Sequence, residues 1–463
     1  MTTEPGRAWA RLGFLFSIVA ILIAGSAFTA VVGGASLGTV AGGAFDAARA
    51  TPSAGPPGAP TYVSHAPILI DGDAAFVPAN GVTGGTGTPS DPYVIEGWEI
   101  DASAATGIWI VNTQAHAVVR DVFIYGGDTT YDGILLDTTA NVVVQGTVLN
   151  GNAYGVVAYA STAITIADNR VTNSFWEGIL VESSSFAVVR GNDVQLAGVY
   201  GIDVFGATDV EVRGNTAYAG WETGIYIQNV DRVIVTGNNA SSNALFGIAL
   251  DYASNATVID NSMWDNDYGM DLFDSGPVLA RQNTIGRSIT EAVTLGYSNN
   301  VTIDLNRFVS NDGGLFASFA TDLVVAHNTF DGNAFQGGDD FGTRTVWDLG
   351  YPTAGNFWSD YKGVDLCSGP GQDLCTGPDG IGDTPYAVDP DTFDRYPLMT
   401  VPSGVFPGST LSPAGPSMLS VSGVTAGTPS GPAPAEPPRS EEPIGLPGLR
   451  RDTVAQDDPT HHR

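Results

Sequence analysis

A four-residue string, glycine–aliphatic–X–aliphatic, returns along this 463-residue chain at an almost fixed interval. It stands at Gly107-Ile-Trp-Ile, Gly133-Ile-Leu-Leu, Gly155-Val-Val-Ala, Gly178-Ile-Leu-Val and Gly201-Ile-Asp-Val. It continues at Gly224-Ile-Tyr-Ile, Gly247-Ile-Ala-Leu and Gly269-Met-Asp-Leu, with a degenerate copy at Glu291-Ala-Val-Thr and a last one at Gly314-Leu-Phe-Ala. Successive steps are 26, 22, 23, 23, 23, 23, 22, 22 and 23 residues. A second marker keeps the same beat: Asn169, Asn192, Asn215, Asn238, Asn261, Asn283, Asn306 and Asn328, each after a β-branched run such as Val233-Ile-Val. A fixed period of this size means stacked units, none of which buries its apolar face alone.

Inside each unit the apolar residues alternate with period two, which selects strands over helices. The leucine/asparagine consensus of a leucine-rich repeat is absent, and a propeller blade needs roughly 40 residues or more. About 23 residues suit one turn of a parallel β-helix, each strand pairing with its copy one coil away at ~4.8 Å. The expected fold is all-β, a single-stranded parallel β-helix of about ten coils. The first and third residues after each glycine then stack inward, as Ile202/Val204, Ile225/Ile227 and Ile248/Leu250. The asparagines form an amide ladder at a bend, where their tolerance of left-handed backbone suits them. That role is structural.

The two ends read differently. Residues 1–12 precede an apolar run, 13–33, with no charge; Arg7 and Arg11 stand before it and no Lys or Arg follows until Arg49. That asymmetry puts the N-terminus inside, with 1–12 cytoplasmic. The run is long enough to span a bilayer, yet its small residues (Ala24, Ser26, Ala30) also suit signal cleavage. It reads as a transmembrane anchor or a signal peptide; either way the remainder is exported. Residues 34–60 are linker, 61–105 an N-terminal cap with the first coil, 106–335 the repeats, and 336–400 a C-terminal cap with an Asp-rich loop. Residues 401–463 hold 12 of the 28 prolines and one aromatic residue, and read as a disordered tail.

The repeat, the leader Gly84-Gly-Thr-Gly-Thr-Pro-Ser-Asp-Pro-Tyr-Val-Ile-Glu-Gly-Trp98 and the closing block Asn356-Phe-Trp-Ser-Asp-Tyr361 through Asp379-Gly-Ile-Gly-Asp-Thr-Pro-Tyr386 to Tyr396-Pro-Leu398 resemble the NosD-type family, also described as carbohydrate-binding/sugar-hydrolase (CASH) repeat domains, and in particular its exported archaeal-like members. The resemblance covers about residues 61–400. It implies a right-handed, pectin-lyase-like β-helix. It implies no activity, since this fold carries lyases, hydrolases, epimerases and adhesive rods.

Charge narrows the partners. Acids outnumber bases 49 to 18, the net charge is −31 and Lys362 is the only lysine, which excludes a nucleic-acid surface. The second and fourth residues after each glycine face outward and interleave aromatics with carboxylates. Tyr159, Trp176, Phe205, Tyr226, Gln228 and Phe273 are the candidate carbohydrate contacts, because sugar rings stack on aromatics and their hydroxyls bond to amides and acids. Two diagonal carboxylate pairs, Glu182 with Asp203 and Asp251 with Asp271, fall ~8 Å apart, inside the ~6.5–9.5 Å window of an inverting glycosidase. No catalytic residue is assigned on that spacing alone. In the closing block Asp373, Asp379 and Asp383 suggest a calcium loop, although the preceding Asp-X-Asp is missing. Cys367 and Cys375 read as a disulfide. The family name suggests copper, but scattered histidines and few Met/Cys ligands disfavour it. The leading expectation is an exported cell-surface β-helix, secreted or membrane-anchored, that binds polysaccharide or another envelope component without turnover. A polysaccharide hydrolase or lyase on the same face and a purely structural rod are the alternatives.

Overall fold

The computed structural model describes residues 62–402. Both the apolar segment 13–33 and the Pro-rich tail from 403 lie outside the described residues, so the readings of those ends stay expectations. Among the described residues no helix is long and apolar enough to cross a membrane.

Three parallel sheets run the length of this unit, with 12, 11 and 13 strands. Sheet 1 takes the strand after each repeat glycine, sheet 2 the β-branched run and sheet 3 the strand after each ladder asparagine. One coil is Ile202–Phe205, Thr208–Arg213 and Thr216–Tyr218, contributing to sheets 1, 2 and 3 in turn. Within these three sheets each strand pairs with its homologue one coil on and never with its neighbour in sequence; outside them, Tyr386–Ala387 pairs antiparallel with Phe393–Asp394. Ile202 pairs with Ile225, and Ile225 with Ile248. All three are fully buried, as are Val204, Ile227 and Leu250. The expected aliphatic columns are therefore the core.

Glycine recurs because coils approach closely at the corner entering sheet 1. A Cβ at Gly178 would lie 2.2 Å from Val194 Cγ1 and 2.6 Å from the Gly201 carbonyl oxygen. The degenerate copy corrects the sequence alignment by one residue. Met270 pairs with Val293 and Leu272 with Leu295, so Ala292, not Glu291, occupies the glycine position and Thr294 faces outward. A period-two strand reverses its faces on a one-residue slip, and burial of Val293 and Leu295 decides the register.

The asparagine ladder exists. From Asn192 onward each Asn Oδ1 accepts from the Nδ2 and the backbone N–H of the Asn one coil earlier, as in Asn192 to Asn215, both bonds 2.9–3.0 Å, while Asn169 accepts from Thr147. It extends past Asn328 to Asn356. The left-handed residue is not the asparagine but the one before it: Asp168, Gly191, Gly214, Gly237, Asp260, Gln282, Leu305 or His327. The turn residue reverses the chain so that the following amide can point inward.

The strands Ile68–Asp71, Tyr93–Glu96 and Trp98–Asp101 form a complete coil ahead of the first glycine repeat, giving eleven full coils rather than ten. The inserted segment 72–92 hides that coil's period. At the other end Trp358 stacks on Phe330 at 4.2 Å and Tyr386 on Trp358 at 4.3 Å, closing the core. Trp347 joins them, fully buried. Tyr361 and Tyr396 sit further out, bonding through their hydroxyls to the carbonyls of Thr384 and Pro370.

Candidate functional site

On sheet 1, in the coils that begin at Gly155, Gly201 and Gly247, the second residue after the glycine is recessed and the fourth is raised; in the Gly107 coil the order is reversed, Trp109 being 38% exposed and Val111 9%. Val157 is 7% exposed, Asp203 8% and Ala249 1%, whereas Tyr159 is 43% and Phe205 36% exposed. Trp176, in the turn entering the sheet, is 39% exposed and packs edge-on against Phe175. Over those coils the outer face is a trough with an apolar and acidic floor and an aromatic rim.

The floor gathers acids. Asp203 lies beside Glu177 and Glu182, and burial together with those two like charges holds its carboxyl well above the usual carboxylate range. Burial pushes Glu177 up to about 7. Burial raises Glu182 and Glu222 as well. Tyr154, Tyr200 and Tyr226 surround the group, and burial among these acids raises all three hydroxyls. Tyr200 and Tyr226 pack at 4.6 Å between ring centres. Oδ1 of Asp203 and Oε2 of Glu177 are buried without a hydrogen-bond partner.

Both predicted diagonals are present in the register. Leu180 pairs with Asp203 and Glu182 with Phe205, while Ala249 pairs with Asp271 and Asp251 with Phe273. Their surroundings differ. The Tyr226 hydroxyl donates to Asp251 Oδ2 at 2.7 Å, and the Thr294 hydroxyl donates to Asp271 Oδ1. Burial with the nearby Asp251 charge pushes Asp271 up to about 7.

Of the remaining candidates, Gln228 pairs with Asp251 along the sheet. Phe273, the fourth residue after Gly269 and paired with Asp251, also belongs to an aromatic column Tyr252–Phe273–Tyr297–Phe319–Phe341 whose successive ring centres are 5.8, 5.8, 5.0 and 5.0 Å apart. Four of these five residues, all but Phe273, have left-handed backbone at the turn leaving sheet 1. The sequence reading missed this column because its members fall at the turn, outside the alternating strand pattern.

No arginine or lysine stands on any sheet 1 strand. The ten arginines of the described residues are each in an ion pair, such as Arg232 with Asp209, Arg281 with Asp304 and Arg395 with Asp348.

The closing block forms the Cys367–Cys375 disulfide. Its acids serve the backbone. Asp383 accepts from the N–H of Leu366 and Cys367, Asp379 from Ile381, and Asp365 from Asp379 and Gly380. Asp373, Asp379 and Asp383 are not brought together. Among the described residues no three His, Cys, Asp or Glu side chains converge as a metal ion would require.

Residues 80–250 match the family described as periplasmic copper-binding protein NosD, and residues 200–348 the right-handed β-helix region family. No curated protein sequence matches the chain. Among solved structures, the A-module of the mannuronan C-5 epimerase AlgE6 from Azotobacter vinelandii is similar at 14% identity and TM-score 0.51, over 62% of this chain and 90% of that one. A periplasmic alginate epimerase, AlgG, gives 17% identity and TM-score 0.46 over 61% and 84%. The catalytic unit of an α-1,3-glucanase from Streptomyces thermodiastaticus gives 15% and 0.43 over 58% and 63%. The first of these is a likeness of fold alone. The described residues do not fit copper: both cysteines are in the disulfide, Met263 and Met270 are in the apolar core, both His327 ring nitrogens are engaged by Asp304 and Thr353, and neither His65 nor His116 belongs to a group of three His, Cys, Asp or Glu side chains that could hold a metal ion.

Proposed function

The chain belongs to the NosD-type right-handed β-helix repeat family, and from that premise we propose that it binds an extended carbohydrate polymer of neutral sugars along the trough of sheet 1, outside the cytoplasm. The observation that carries this reading is the recessed acidic floor beneath an exposed aromatic rim, Tyr159, Trp176 and Phe205. Rings of that kind offer flat apolar faces to sugars, and partly neutral acids supply both donors and acceptors to hydroxyls. A trough without a cation repels a polyuronate, so the ligand is uncharged. The matched family's periplasmic description accords with an exported location.

The test is affinity electrophoresis of the described unit's parent chain in gels containing soluble xylan, glucan, mannan or polygalacturonate. Retardation by a neutral polymer is expected, with none by polygalacturonate. Because Tyr159 and Phe205 are exposed, replacing both by Ala spares the fold and weakens binding about tenfold. Failure to bind every neutral polymer, or preferential binding of polygalacturonate, refutes the reading.

A further inference from the structure

We propose that Asp203 and Glu182 form a hydrolytic centre that cleaves glycosidic bonds of the polymer held in the trough, with inversion at the anomeric carbon. This rests on the binding reading above and adds chemistry to it.

The geometry comes from the register. Asp203 and Glu182 are one coil and two residues apart on the same outward face. One strand spacing of ~4.8 Å combined with ~6.7 Å along the strand places them ~8 Å apart. An inverting glycosidase needs ~6.5–9.5 Å, so that a sugar and a water fit between its two carboxyls. The second observation is independent of spacing. Asp203 is 8% exposed and its Oδ1 has no partner. A buried acid oxygen left unanswered is destabilising, and such a cost is tolerated where a ligand supplies the missing contact.

The surroundings divide the roles. Asp203 faces Glu177 and Glu182, with Tyr154, Tyr200 and Tyr226 around it, and no cation offsets these acids. It therefore keeps its proton and is the general acid. Glu182 is more open to solvent and is the base. In the reaction the Asp203 carboxyl gives its proton to the glycosidic oxygen as the C1–O bond breaks. A water on the opposite face of the ring attacks C1, and its proton passes to Glu182. The products are two shorter chains, one with a new reducing end of inverted configuration. Afterwards Asp203 regains a proton from solvent and Glu182 releases one. Lyase or epimerase chemistry would instead require a uronate whose carboxylate is neutralised, and the strands of sheet 1 carry no Arg, Lys or His for that.

The full chain, incubated with each polymer it binds, should release new reducing ends. The first-formed anomer, followed by NMR, should be inverted. Asp203→Asn and Glu182→Gln, both nearly isosteric, should lower the rate at least ~10²-fold while keeping the gel retardation and melting temperature. In Glu182→Ala, azide should restore turnover by replacing the activated water and form a glycosyl azide. A merely structural Glu182 gives no such adduct. A polymer that binds and yields no new ends overturns this proposal and leaves the binding reading standing. Retained configuration, or full activity in Asp203→Asn, also overturns it. Absence of any binding removes both.

Discussion

Glu182–Asp203 and Asp251–Asp271 are built by one rule and furnished differently. Both are diagonals on the outer face of sheet 1, one coil and two residues apart. In the second pair each acid is answered by a hydroxyl, Tyr226 to Asp251 and Thr294 to Asp271. In the first, the deeper acid keeps an oxygen without a partner. A repeat fold therefore copies positions but not environments. The backbone supplies equivalent places at every coil, and neighbouring side chains decide which of them is finished as structure and which is left for a ligand.

The largest effect should come from disturbing the backbone that sets the first diagonal. At Gly201 a Cβ would lie 2.6 Å from the Gly224 carbonyl oxygen, which cannot yield without shifting the coil. Gly201→Ala should cost ~3 kcal/mol in chemical denaturation, at the upper end of overpacking. An unchanged midpoint would show that coil spacing is softer than this register implies.

Next in size is a change that makes the finished pair resemble the open one. Thr294→Val removes the hydroxyl that answers Asp271 and should destabilise by ~1–2 kcal/mol. A neutral outcome would mean the hydroxyl contributes nothing to holding that acid.

A smaller effect follows from pH. Glu177 and Asp271 are each pushed up to about 7 by burial, against ~4 in an unfolded chain. Between those values the folded protein holds protons that the unfolded chain has released. Stability should therefore fall as pH rises from about 4.5 to 7.5. Glu177→Gln and Asp271→Asn should each flatten the slope of melting temperature against pH. A slope unaffected by either assigns it to the general acid excess. Smallest of all, melting curves in calcium and in EDTA should coincide, because Asp379 and Asp383 are spent on backbone amides. A calcium-dependent rise would support the calcium loop.

Much of the fold was readable because a period is a global constraint. Ile202, Ile225 and Ile248 must stack if coils of about 23 residues repeat, and Asn169 to Asn328 must share one bend. What escaped was whatever broke the period or lay at right angles to it. The first coil was expected within 61–105, but its strand positions were hidden by the insertion 72–92, and the slip at Ala292 by a missing glycine. The aromatic column of Tyr252, Tyr297, Phe319 and Phe341 sits on turn residues that carry no alternation. The candidate site was legible to the level of its diagonals, since register follows from spacing. The distinction between them was not. Whether Tyr226 reaches Asp251 or Asp203 depends on side-chain direction across two coils, which no string of residues displays.

The thermal midpoints of Asp203→Leu and Asp271→Leu, compared with the parent chain, test the contrast most directly. An apolar residue in place of an unanswered buried acid should raise stability by roughly 1–3 kcal/mol, whereas the same change at Asp271 strands the Thr294 hydroxyl and should lower it. Both midpoints falling together would show that Asp203 is as fully used by the fold as Asp271, and that the trough holds no position kept open for a sugar.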